Sequence, residues 1–137
     1  MGPRHSLALS AALLALASGC PGRSSPVKDP AGSPEATYRK FMLANLEGTE
    51  EKIKPLVIDQ PGVEVLWQGP YPPEVAKIAR AQYQTMEIIR VTQSPKRVTL
   101  TSAAVATELA LVRVGGGWRL DASPIIEYRL RAKGHAP

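Results

Sequence analysis

The feature that most constrains this chain is a change of hydrophobic period at Met86. Ahead of it, apolar side chains recur every three or four residues, and beyond it they alternate. A segment patterned for a helix cannot bury the same side chains as a strand, so the two halves commit to different structures. "EIIRVTQ", "KRVTLTS", "AVATELALVRV" and "WRLDASPIIEYRL" are rich in β-branched residues and alternate, which predicts strands. In the third of these, Val105, Leu109 and Leu111 fall on one face, with Glu108, Ala110 and Val112 on the other. Ser94-Pro95 is one clear break. Val114-Gly115-Gly116-Gly117-Trp118 reads as a hairpin, since glycine accepts the positive φ of a tight turn.

The first half carries its own start and stop signals. Ser33 suits a cap, Pro34 the first helical position, and Glu35 the positive end of the helix dipole. Tyr38, Phe41, Met42, Asn45 and Leu46 then share a face, and Gly48 ends the helix. Thr49 offers a second cap before "EEKIKPLVI", a helix that Pro55 makes short or kinked. Between Gly/Pro breaks, Val63, Val65 and Trp67 alternate with Glu64 and Leu66, which predicts a short strand. Pro72-Pro73 opens a third helix with Val75, Ile78, Ala79, Gln82 and Met86 inward, and Lys77 and Arg80 outward. The expected fold is α+β: two to three N-terminal helices packed on a curved antiparallel sheet of about four strands.

Length suits a single domain, since 137 residues fall within the usual span of roughly 100–200 per domain. Lys and Arg outnumber Asp and Glu by 17 to 12, but they form no stripe with interleaved aromatics, so nucleic acid is not an expected partner. Met1 to His5 carries the firm charge of Arg4, and "SLALSAALLALASG" then runs apolar and small to Cys20, the single cysteine. That pattern is a secretory signal peptide over residues 1–19, and its apolar run is too short to span a bilayer. Ala15-Leu16-Ala17 is an A-x-A site, and cleavage there releases a soluble secreted form starting at Ser18. Ala17-Ser18-Gly19-Cys20 resembles the bacterial lipobox, in which the cysteine becomes the lipidated first residue. Residues 20–32 are rich in Pro, Gly and Ser and read as a tether, the layout of a surface-held lipoprotein. The expectation is a lipid anchor at Cys20 and a place in the cell envelope, outside the cytoplasm. The folded domain takes residues 33–130, and 131–137 form a disordered basic tail.

The order helix, helix, short strand, helix and meander, closing with "VRVGGGWRLDAS", resembles the nuclear transport factor 2-like (SnoaL-like, cystatin-like) superfamily. More narrowly it is similar to small bacterial lipoproteins carrying this domain after a signal peptide and a Pro/Ser linker. The resemblance covers residues 33–130, and Gly116, Gly117, Trp118, Leu120 and Asp121 carry its hairpin motif. It implies a cone-like sheet closed by helices, often around a pocket, and in some members an isomerase or cyclase with a pocket carboxylate.

Catalytic candidates are few. Beyond Cys20 there is no thiol, and His135 lies near the end, so no nucleophile–histidine pair and no metal or cofactor site is expected. Asp59, Glu64, Glu108 and Asp121 are the carboxylates that the isomerase reading would use, with Tyr38 or Tyr83 as donor. Trp67 and Tyr71, in a Gly/Pro loop, can line a ligand cleft or an interface, or lid the core. Arg129, Arg131 and Lys133 could meet anionic headgroups or be a solvated tail. The expected role is non-catalytic: a domain that binds an envelope protein partner or a small apolar ligand, through contacts at Trp67, Tyr71, Tyr38 and Tyr83.

Overall fold

Helices precede strands in the computed structural model, which describes residues 25–134. The signal peptide, Cys20, the first part of the tether and His135 lie outside the described residues. Helix α1 (Pro34–Asn45) begins as its sequence dictates: Ser33 is extended, and its hydroxyl accepts the Ala36 N–H at 3.1 Å. Tyr38, Phe41, Met42, Asn45 and Leu46 are buried as expected. Gly48, at φ +63°, turns the chain out of the helix, and a Cβ there would drive into the carbonyl of Gly69. The close crossing is tied by the Gly69 N–H on the Gly48 carbonyl at 3.0 Å. Helix α2 (Glu50–Ile53) is short, and the chain runs on as a 3-10 turn over Lys54–Leu56 around Pro55. Thr49 makes no side-chain cap.

Four strands, β1 (Ile88–Gln93), β2 (Arg97–Ser102), β3 (Val105–Val114) and β4 (Gly117–Asp121), form an antiparallel sheet in sequence order, and it is not closed. The register sets Val98 against Leu111 and Leu111 against Leu120, and Leu100 against Leu109. This row faces Tyr38, Phe41, Ile53, Val57, Leu66 and Ile126 to make the core. Each such fully buried aliphatic or aromatic side chain contributes about 1.5–3 kcal/mol. The outer edge of β4 is partly covered, because Val57 bridges Leu120 in parallel and the Ile58 N–H bonds its carbonyl at 2.9 Å. β1 forms the other edge.

Four expectations need correction. Val63–Leu66 is a 3-10 turn and not a strand. Gly62, at φ +82°, starts the turn, and it buries Leu66, while Val63, Val65 and Trp67 are only half-buried. The last expected strand ends at Asp121, and Ser123–Ala132 is a helix, α4. Pro124 sits in its first turn, and the adjacent pair Ile125-Ile126 already breaks a period of two. That helix carries Arg131 and Ala132, so the folded part extends past residue 130.

The third correction concerns α3 (Pro73–Thr85). It turns Ala76, Ala79 and Tyr83 toward the body, while Val75, Ile78 and Gln82 are exposed. Small alanines let α3 lie close to α1, which the larger side chains would prevent. Met86, just beyond its end, is buried as expected. The fourth concerns the tether, whose described part is a docked strap. The Val27 N–H bonds the Gln84 carbonyl at 2.8 Å, and Ala31-Gly32 turns the chain into α1. Arg39 holds the strap by donating to both oxygens of Asp29, at 2.8 and 3.2 Å.

Candidate functional site

The aromatic candidates come from three elements, and the fold brings three of them into one neighbourhood. Tyr38 of α1 is fully buried, and its hydroxyl shares a 2.9 Å hydrogen bond with Ser102 at the end of β2. Burial pushes this phenol's pKa up, and the Ser102 hydrogen bond partly offsets that. Tyr83 of α3 is half-buried, and burial also raises its pKa, with Tyr71 and Tyr38 close enough to add to the shift. The Tyr71 N–H bonds the Leu46 carbonyl at 2.9 Å, and its hydroxyl accepts from Asn45 Nδ2 at 3.4 Å. Arg129 of α4 completes this stitching, reaching Asn45 Oδ1 at 3.1 Å and the Val65 carbonyl at 3.4 Å. Trp67 is half-buried against the core. These side chains pin the loop after Leu66 over the core, the lidding role open to Trp67 and Tyr71, and Arg129 works here as a clamp.

The carboxylates do not join them. Asp59, Glu64 and Glu108 are exposed. Asp121 is partly buried, and its Oδ1 accepts from the Ser123 hydroxyl, the Ser123 N–H and Gln60 Nε2. Gln60 in turn accepts the Ala122 N–H at 3.0 Å, so this cluster splices β4 to α4. Partial burial pushes the Asp121 pKa up, but the hydrogen bonds from Ser123 and Gln60, with the field of Arg97, bring it below the ordinary value. A pocket acid or base working near neutrality needs the opposite shift. Among the described residues, no three His, Cys, Asp or Glu side chains are placed to hold a metal ion. Nor is any helix there long and apolar enough to cross a membrane.

The clefts are shallow or small. A cleft of about 720 Å³ lies between Glu50, Glu51, Lys54, Pro55 and Arg119, and it opens widely to solvent. A deeper neighbour of about 250 Å³ shares Lys54 and Arg119 and adds Asp59 and Val63. A small cleft of about 200 Å³, lined mainly by apolar residues, lies between β3 and α4, with Val105, Leu109, Ile125 and Tyr128 among its walls. It falls below the roughly 300–1,000 Å³ of typical small-molecule pockets. At the hairpin end of the sheet, a polar cleft of about 460 Å³ holds Arg113, whose guanidinium lies 4.8 Å over the Trp118 ring.

The outer face of the sheet is half-exposed at Thr99, Thr101, Val112 and Arg119. Register places Thr99, Ala110 and Asp121 in one cross-strand row, and Arg97, Val112 and Arg119 in the next. Ile89, 51% exposed, continues this face onto the edge strand beside Thr101, and Val91 stands out at a bulge. The helices packed into the core lie on the opposite side, with Val98, Leu100 and Leu111. The alternation in β3 predicts this face through Glu108, Ala110 and Val112, but nothing in the sequence singles it out as a contact surface.

The sequence reading missed the Arg39 node. The guanidinium is buried, reaches the carbonyls of Tyr83 and Met86 at 2.6 and 2.9 Å, and holds Asp29. A signal existed, because Arg39 sits between Tyr38 and Phe41 in the apolar run and a buried cation requires a partner. Compared with known families, curated proteins and solved structures, the chain matches none.

Proposed function

We propose that this chain is a membrane-anchored bacterial envelope lipoprotein whose domain binds a partner protein, without catalysis, through the open face of its sheet. The observation that carries the second half is that outer face. It mixes β-branched side chains at Thr99, Thr101, Val112 and Ile89 with Arg97 and Arg119, a surface suited to protein contact. Edge strand β1 adds unpaired backbone groups beside it. The anchor half is supported by the lipobox-like run ending at Cys20 and by the Pro, Gly and Ser that follow it. Reading the domain as nuclear transport factor 2-like is supported by the helices that precede the antiparallel meander and by the Gly115–Gly117 hairpin, and not by the expected short strand, which is a 3-10 turn.

A partner protein is favoured over a small apolar ligand, because the cleft of about 720 Å³ is wide open and lined by Glu50, Glu51, Lys54 and Arg119, and the cleft with mainly apolar residues holds only about 200 Å³. A pocket-carboxylate isomerase has less support, since Asp59, Glu64 and Glu108 are exposed and Asp121 is engaged in splicing α4 to the sheet. Two measurements test the proposal. Cys20→Ser should move the chain from the membrane to the soluble fraction, and unchanged membrane retention would refute the anchor. A photo-crosslinking residue at position 112 should yield one discrete protein adduct in intact cells. Its absence would refute the binding face.

A further inference from the structure

We propose that α3 and the strap ahead of α1 form the membrane-facing side of the domain and rest on anionic phospholipid headgroups. This goes beyond the anchor reading by naming the face, and it rests on that reading. The strap is fixed to the body from Val27 onward, through the Gln84 carbonyl in the last turn of α3 and through the Asp29–Arg39 pair. Only the seven residues from Cys20 to Pro26 precede that fixed point in a chain anchored at Cys20. Fully extended they reach about 25 Å, less than the roughly 34 Å width of a compact domain whose radius of gyration is about 13 Å. The side where the strap leaves is therefore the side held against the bilayer.

That side has the composition for it. No residue of α3 is fully buried, and Ile78 and Val75 are 72% and 49% exposed. Val27, on the strap, is also exposed. Lys28, Lys77 and Arg80 are exposed and make no ion pair among the described residues. Glu74 lies exposed in the first turn of the helix, three residues before Lys77, and Glu87 follows its end, so the basic excess is small and charge alone would not hold it. Isolated apolar side chains beside long basic stems suit the headgroup boundary, where the stems lie on apolar surface and the charges stay wet. The short tether raises the local concentration of lipid, so each contact works while being weak. Since α3 packs mainly on α1, and α1 covers the inner side of the sheet, the outer face at Thr99 and Val112 points away from the bilayer.

The test places a benzophenone amino acid at position 78 of the full chain in intact cells, followed by irradiation and membrane separation. The expected product is a phospholipid adduct at position 78 and none from the same residue at position 112. The double variant Lys77→Glu, Arg80→Glu should lower that adduct severalfold without shifting thermal unfolding. A chain that fractionates with membranes yet gives no lipid adduct, or a protein adduct, at position 78 overturns this inference and leaves the anchor standing. A chain absent from the membrane fraction overturns both.

Discussion

Helices α1 and α3 are nearly equal in length, at 12 and 13 residues, and both open on proline, yet α1 buries seven residues and α3 none. The contrast comes from what each helix meets. α1 lies on the apolar row of β2, β3 and β4, and its large side chains fill that layer. α3 meets α1 from outside through Ala76, Ala79 and Tyr83, a narrow contact that leaves its other sides to solvent. One helix therefore supplies stability and the other supplies surface. Regular spacing in the sequence reports that a helix forms, and only packing decides how much of it is covered.

The contrast can be broken most severely with Phe41→Ala, which should cost about 3–5 kcal/mol in chemical denaturation. Ile78→Ala, the matching change on α3, should stay within about 0.5 kcal/mol. Equal losses from the two variants would remove the distinction. Next comes Asp29→Ala, which leaves the buried Arg39 guanidinium without its carboxylate. The expected loss is about 3 kcal/mol, with faster tryptic cleavage after Lys28. Stable protein with an uncut strap would show that the two carbonyl acceptors suffice.

A smaller effect tests the joint between sheet and α4. Asp121→Ala removes the acceptor for Ser123 and should cost about 1 kcal/mol. Because the folded pKa of Asp121 lies below its ordinary value, its stabilisation is full above the unfolded value, near pH 4. It fades as the pH falls through the folded value. The gap between wild type and Asp121→Asn should therefore be widest near neutral pH and close in acid, as read by thermal unfolding. Smallest is Glu35, whose pKa is lowered first by its hydrogen bond to Arg90, against a partial burial penalty. That pair ties α1 to edge strand β1 but is partly exposed, so Glu35→Gln should cost less than about 1 kcal/mol.

The sequence made the class of the fold legible because period is a local property. The break at Met86, the Ser33 cap, the Gly48 exit and the hairpin at Gly115 are all read from neighbouring residues, and all four appear. Failures came where alternation was coincidental. Val63, Val65 and Trp67 alternate, but the pattern cannot say whether a strand partner is available, and the edge of β4 instead takes Val57. The helix after Asp121 was visible in Asp121, Ser123, Pro124 and the Ile125-Ile126 pair, yet the preceding strand's rhythm masked it. At the site level, Tyr38, Tyr71 and Tyr83 were singled out as ligand or partner contacts and the fold brings them into one neighbourhood, while Arg39 and Asp29 were not singled out. Their pairing depends on how a loop folds back across ten residues, and no local period records it.

The central claim is that the strap ends in a lipid anchor, so that one side of this domain is held to a bilayer. Intact-mass and N-terminal peptide analysis of the mature chain, extracted from cells, tests it most directly. The prediction is a chain whose first residue is Cys20, heavier than its sequence by a diacylglyceryl group and an amine-linked acyl chain. A mature chain that begins at Ser18 with an unmodified Cys20 would contradict it.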